Sequence, residues 1–350
     1  MKPLHLLFSV YIITVTSLDT NSVSYQGVPQ HAVIWKGWGC SLAWWGNLFG
    51  DDPTVADLMF SLKTGITVST EKQELSNLPG LGFNIARYNV GGSCGGQKDN
   101  QDTFQGVTTE LCEYSGDTMN VGGMTDWKRI QGFWMNWASR DVADEKSWRW
   151  NVDLNQREML RLALERDENM VFELFSNSPM WWMLHNKNPS GADLPNQHPT
   201  PEQIENLQSW NEQDFAYYLA QVAKYYLENF GIKFETVAPF NEPRGGGDLD
   251  PNNPGGCWWW SDRSSQEGCC ADQAQQERVY LYLREELENA GLGFMKISSS
   301  DESLFSVAAT TWRGFNSTVK SVVDQINVHG YEGLYRVVFK KPSFTKAKMG

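Results

Sequence analysis

The chain has 350 residues, 41% of them hydrophobic, enough to bury the core of one large domain or two ordinary ones, which excludes disorder as its main state. Its net charge is −13 and its sequence pI about 4.9. With no basic cluster before the C-terminal tail, the electrostatic footprint of nucleic-acid binding is missing.

The first residues, MKPLHLLFSVYIITVTS, combine one lysine, a short apolar stretch and small polar residues. That pattern predicts a signal peptide over 1–17 with Ser17 as its last residue, and hence a secreted, extracellular protein with no membrane contact after cleavage. Six cysteines and a single Asn316-Ser317-Thr318 sequon suit an oxidising compartment, with up to three bridges and no readable connectivity. The cysteine and histidine spacings carry no zinc signature, so neither metal nor cofactor is expected.

Strand-like runs follow at 33–44, 82–92, 170–179, 234–243, 294–303 and 326–333. Between them the clearest helices are predicted over 153–167, with Asp153 as N-cap, and over 211–230, stopped by Gly231. Strand and helix in alternation predict parallel strands joined by crossovers, an α/β fold of the (β/α)8 barrel type. Polar residues close nearly every run: Arg87-Tyr88-Asn89, Ser176-Asn177-Ser178, Asn241-Glu242, Ser300-Asp301-Glu302 and His329-Gly330-Tyr331. Barrel active sites are built at such strand tips. The long segments 93–150 and 244–270 read as loops on the same face.

Tryptophan, 16 residues in all, clusters after strand tips at Trp44-Trp45, Trp181-Trp182 and Trp258-Trp259-Trp260. A single indole is as readily a core residue, but three clusters on one face point to stacking against sugar rings. Glu242 closes the run FETVAPFNEP. A carboxylate at the end of a buried strand must be paired, neutral or functional, and the plain alternative is a salt-bridged or loop-exposed glutamate. Glycoside hydrolysis needs two carboxylates at the scissile bond, and Glu242 suits the acid, provided that it is protonated when substrate binds.

The segments GWGCSLAWWGNLFG, LGFNIARYNVGG, FELFSNSPMWWM, APFNEP, WWW followed by QEGC, SSSDES and NVHGYEG resemble, in order, glycoside hydrolase family 30 of clan A, in particular its endo-β-1,6-galactanase-like branch. The resemblance runs from about Trp35 to Gly333. It implies a (β/α)8 barrel with an appended β-sandwich and a retaining mechanism, with the acid/base after the fourth barrel strand and the nucleophile after the seventh. It places Glu242 at the acid/base position, Asn241 on the sugar 2-hydroxyl, Arg87 as the cation that orients the nucleophile, and His329 and Tyr331 beside it. Trp45, Asn177, Trp181 and Glu267 are weaker sugar contacts by the same resemblance, with a supporting structural role as the equal alternative. The implied partner is a β-linked polysaccharide or glycoprotein glycan, bound by a monomer.

The sequence departs from that pattern after residue 333. The run at 326–333 is the sixth strand, and the 17 residues that follow contain Arg336, Lys340, Lys341, Lys346 and Lys348 but no acid. The reading is therefore a leader (1–17), a barrel incomplete after its sixth strand (18–333) with its β-sandwich largely absent, and a non-family basic tail (334–350) of the kind that splicing or a frameshift produces. No residue occupies the nucleophile position, and Glu332 is a weak substitute because it follows Tyr331 in a strand-six motif. The alternative function is a glycan-binding fragment without full catalysis.

Overall fold

The computed structural model describes residues 35–69, 72–93, 126–185, 187–190, 205–244, 266–331 and 348–349. The leader, Glu332, the cluster Trp258-Trp259-Trp260, and Cys94, Cys112 and Cys257 lie outside the described residues. The described residues from Lys36 onward belong to one compact unit.

All six expected strands form: β1 (Gly39–Ser41), β4 (Ile85–Asn89), β5 (Val171–Phe175), β6 (Phe234–Ala238), β7 (Lys296–Glu302) and β8 (Val323–Val328). They pair in parallel, in chain order, in one sheet. A two-residue strand from the basic tail, β9 (Lys348–Met349), takes the seventh place through Gln325↔Lys348 and Ile326↔Met349. Among the described residues the sheet is open, with β1 and β9 at its ends. Between β1 and β4 the chain inserts an unexpected antiparallel hairpin, β2 (Ile66–Ser69) and β3 (Glu74–Leu78). Most of its residues face solvent, so it lacks the apolar alternation that would have marked it.

Helices fill the crossovers: α1 (Trp45–Phe49) and α2 (Pro53–Phe60) after β1, α3 (Leu154–Arg166) after β4, α4 (Glu212–Phe230) after β5, α5 (Gln273–Asn289) after β6, and α6 (Phe305–Gly314) with α7 (Ser317–Val322) after β7. Phe215, Tyr218, Leu219, Val222 and Tyr226 lie on one face of α4 at helical spacing and are buried. The helix ends where Gly231 adopts φ 66°, with Gly231 N donating to Leu227 O and Ile232 N to Tyr226 O, both at 3.2 Å. This left-handed cap costs glycine nothing and most other residues about 1 kcal/mol.

Asp153 precedes α3 as expected, but it does not cap it: its φ is 50° and its side chain makes no capping bond. The carboxylate turns into the core, where it accepts from Tyr88 Oη at 2.6 Å and from Gln156 Nε2 at 2.9 and 3.0 Å. Burial raises its pKa to about 7, against the opposing pull of those donors. Nearby, Trp134 stacks on Trp148 and Trp150 on Tyr225, with centroids 4.8 and 3.8 Å apart. This aromatic wall seals the connection after β4 against α4, at about 0.5–1.5 kcal/mol per pair beyond area burial.

Among the described residues two thiols are free, Cys40 and Cys269, whereas Cys270 is disulfide-bonded. The six cysteines therefore form at most two bridges rather than three. Burial pushes Cys40 up to about 12 and Cys269 higher still, which makes both poor nucleophiles.

Candidate active site

The tips of β4, β6, β7 and β8 bring four charged or titratable side chains together. Arg87 comes from β4, Glu242 lies four residues beyond β6, Asp301 sits near the end of β7, and His329 directly follows β8. Backbone bonds hold these tips to one another: Glu242 N donates to Asp301 O and His329 N to Glu302 O, each at 2.9 Å, and Tyr331 N to Ser303 O at 3.2 Å.

Asp301 reaches the site because β7 is irregular there. Ser300 pairs with Asn327 and Glu302 with Val328, so Asp301 is an extra residue in the strand, with φ 55°. A bulge of this kind re-aims a side chain that simple alternation would point to the other face. Glu242 is also left-handed, with φ 51°. Each such residue costs about 1–2 kcal/mol, so two adjacent tip carboxylates are held in conformations that the chain does not prefer.

Arg87 sets the electrostatics. Its Nε donates to Glu173 Oε1 at 2.7 Å and its Nη2 to Asp301 Oδ2 at 2.6 Å. The guanidinium lies 4.0 Å from the centre of the Phe175 ring, in a cation–π contact. Asp301 is 2% exposed. Burial raises its pKa, but Arg87 and His329 outweigh burial and hold it at about 2. His329 stands between two carboxylates, with Nδ1 2.5 Å from Glu242 Oε1 and Nε2 3.3 Å from Asp301 Oδ1. Burial alone would lower its pKa; the two carboxylates raise it to about 9. At neutral pH the imidazole is therefore a cation, and its Nδ1 proton lies on the line to Glu242.

Of the residues expected from sequence, Glu242 and His329 meet directly, and Arg87 joins them through Asp301. Asn241 is buried beside Glu242, and Tyr331, 70% exposed, packs edge-on against His329 at 5.7 Å. Asn177 and Glu267 converge on Asn89 instead. Asn177 N donates to Asn89 Oδ1 at 3.2 Å. Glu267 accepts from Asn89 Nδ2 at 2.9 Å, Ser93 Oγ at 3.0 Å and Gly92 N at 3.3 Å. Glu267 is fully buried, and these bonds make it an anchor for the segment after β4. Trp181 and Trp182 are core residues, not an exposed stacking surface, because the aromatic wall packs over them; Trp182 Nε1 donates to Trp134 O at 2.8 Å. Trp45 is half-buried, its indole N–H directed at Ser41 O at 2.6 Å. Among the described residues the exposed indoles after strand tips are Trp137 and Trp210.

Sequence reasoning missed Glu173 and the role of Asp301. The signal for Asp301 was its place in SSSDES, a tip already noted; for Glu173 it was a lone acid in the apolar run VFELF. Among the described residues no group of three or more His, Cys, Asp or Glu could hold a metal ion, and no helix is long and apolar enough to cross a membrane.

Comparison with known proteins gives the family and the fold. Residues 126–306, from the aromatic wall through β7, match O-glycosyl hydrolase family 30. The chain belongs to that family. An endo-beta-1,6-galactanase from Hypocrea rufa is 40% identical over 93% of the chain, which covers 57% of that protein. Two solved structures share the fold. One is a conserved exported protein from Bacteroides fragilis (TM-score 0.53, 20% identity, 89% of this chain and 51% of that one). The other is the catalytic domain of GH30 xylanase C from Talaromyces cellulolyticus (TM-score 0.52, 17% identity, 85% and 53%). The fold is thus that of the family 30 (β/α)8 barrels, with the barrel not closed. The chain spans little more than half the length of these relatives.

Proposed function

We propose that the chain is an extracellular O-glycosyl hydrolase of the retaining endo-β-1,6-galactanase type, acting on β-linked galactan or a related β-glycan, with Glu242 as acid/base. The observation that carries this reading is the Glu242–His329 pair at the strand tips, with Asp301 and Arg87 behind it. In the first step of the retaining scheme Glu242 gives its proton to the glycosidic oxygen as that bond breaks and a second carboxylate, which the family resemblance places after the seventh barrel strand, bonds to the anomeric carbon; in the second, Glu242 takes a proton from the water that displaces that carboxylate. The His329 cation, 2.5 Å from Glu242 Oε1, passes its Nδ1 proton to Glu242 for donation to the leaving oxygen and takes it back in the second step. Arg87 and Asp301 hold that cation in place. Asn241 is the ligand for the 2-hydroxyl and Tyr331 lines the mouth. Asn177, Glu267, Trp45 and Trp181 support the site walls. The leader reading predicts a secreted product that starts at Leu18, which N-terminal sequencing of the exported protein checks.

A second reading has its own observation. Asp301, the carboxylate set across His329 from Glu242, is buried and already paired, so it is not free to attack an anomeric carbon. On this reading the chain supplies no nucleophile, and it binds β-glycan without turning it over. Release of reducing ends from β-1,6-galactan by the 350-residue protein separates the two. Turnover that Glu242→Gln lowers by about 100-fold or more supports the hydrolase; retention of the protein on immobilised galactan with no release supports the binding fragment.

A further inference from the structure

Glu173 has no part in the chemistry above, yet it is the most heavily bonded side chain near the site. It is buried inside the arc of strands, below the tips. Besides Arg87 Nε at 2.7 Å from β4, its carboxylate accepts from Thr236 Oγ1 on β6 at 2.8 Å and Ser298 Oγ on β7 at 3.1 Å. From β8 it accepts Asn327 Nδ2, at 2.9 and 3.0 Å to its two oxygens, and Gln325 Nε2 at 3.3 Å. Arg87, Glu173 and Thr236 are ladder partners in consecutive strands, so the donors ring the carboxylate at one level.

A carboxylate offers about four lone-pair directions, and here donors from β4, β6, β7 and β8 use them all. Such a group fixes its donors as firmly as they fix it. The consequence for the site runs through Arg87: the guanidinium is planar and rigid, so with Nε pinned by Glu173 the direction of Nη2 toward Asp301 is determined. Asp301 in turn faces His329, whose other nitrogen faces Glu242.

We propose that Glu173 is the positioning residue of this site, setting the Arg87–Asp301–His329–Glu242 chain from below by holding the guanidinium and drawing β4 to β8 around one carboxylate. The inference rests on reading those four residues as one site, but its test does not require turnover. Glu173→Gln is nearly isosteric and replaces one acceptor oxygen with an N–H donor, which cannot accept from the donors around it. The measurement is the NMR titration of His329, assigned by its loss in His329→Gln, followed together with thermal unfolding. Among the described residues the groups that face His329 are Glu242, Asp301 and Tyr331, none of which is changed.

The expected result is a displacement of the His329 midpoint by half a pH unit or more in Glu173→Gln, with partial return in Glu173→Asp, which keeps two acceptor oxygens. Leu160→Ala, a buried change on α3, should lower the melting temperature and leave the midpoint where it is. Should Glu173→Gln not fold, Thr236→Val removes one donor at little change in shape, and a shift of a few tenths of a unit is expected. A lowered melting temperature with the His329 midpoint unmoved in both variants would make Glu173 a structural brace only and overturn the proposal. On galactan the same variants should lose kcat with KM nearly constant; if the midpoint shifts but no form of the protein turns over galactan, the hydrolase reading fails and the positioning inference stands.

Discussion

Asp301 and Glu302 are neighbours in one strand, both buried, and the fold moves them in opposite directions. Asp301 faces the strand tips, where Arg87 and His329 hold it at about 2. Glu302 faces the helices. Burial drives it up to about 8; the backbone N–H and charge of Arg244 offset only part of this, the charge on Asp301 adds to it, and Gln276 offsets a little more. Its Oε2 accepts one long bond, from Arg244 N at 3.3 Å, and its Oε1 meets no donor in bonding geometry among the described residues. Burial is common to both, so partner supply decides which carboxylate is charged. The lesson extends to each region: the front of β7 is saturated with donors, while on the back the hydroxyl of Ser303 is unpartnered among the described residues.

The strongest way to break this contrast is to remove the front cation. Arg87→Met leaves Glu173 and Asp301 buried without their common partner, and a loss of about 3–5 kcal/mol in urea unfolding is expected, with no turnover. The next test reverses sign across the strand. Glu302 binds its proton up to about 8 when folded but only to about 4.3 when unfolded. The fold therefore keeps a proton that the unfolded chain has released, and stability falls as pH rises from about 4 to 8. The slope approaches ~1.4 kcal/mol per unit. Glu302→Gln should remove its share of that slope, leaving the share of Asp153, whose value is raised to about 7, and raise stability at pH 7 by roughly 3–4 kcal/mol; an unchanged slope would show that Glu302 is charged after all. Asp301 has the depressed value, so its contribution is complete above about pH 4 and is lost as pH falls through 2. Asp301→Asn should cost about 2–3 kcal/mol at pH 7 and flatten the acid limb of the unfolding curve.

Much of the fold was legible because it rests on periodicity. The six strands and the helices at 153–167 and 211–230 are apolar patterns bounded by polar tips, and all appear near their expected places. The failures have specific causes. Asp153 has the residue type and position of an N-cap, but the hydroxyl of Tyr88, distant in sequence, competes for its carboxylate. The tryptophan pair at 181–182 was read as ligand-lining, but indoles also pack well on each other, and here both are buried, with Trp134 edge-on against Trp182. Asp301 was visible as a tip residue, whereas its inward turn depends on a bulge that only pairing with β8 reveals. Glu173 could not be assigned from sequence because its five partner residues lie on four other strands.

The smallest test compares two serines on β7 and just beyond it. Ser298 donates to Glu173 Oε2 at 3.1 Å on the front, and Ser303, fully buried, has an Oγ with no hydrogen-bond partner among the described residues. Removing a hydroxyl that bonds a carboxylate loses that bond and leaves an acceptor less satisfied, whereas removing an unpartnered buried hydroxyl relieves a desolvation penalty. Ser298→Ala should therefore lower stability by about 1 kcal/mol, while Ser303→Ala should leave it unchanged or raise it by a few tenths. Both are read from denaturant midpoints at constant m, so that a changed unfolded state is not mistaken for a changed bond. Equal losses in the two variants would mean that Ser303 holds a partner such as a buried water, and that the back of β7 is as well supplied as its front.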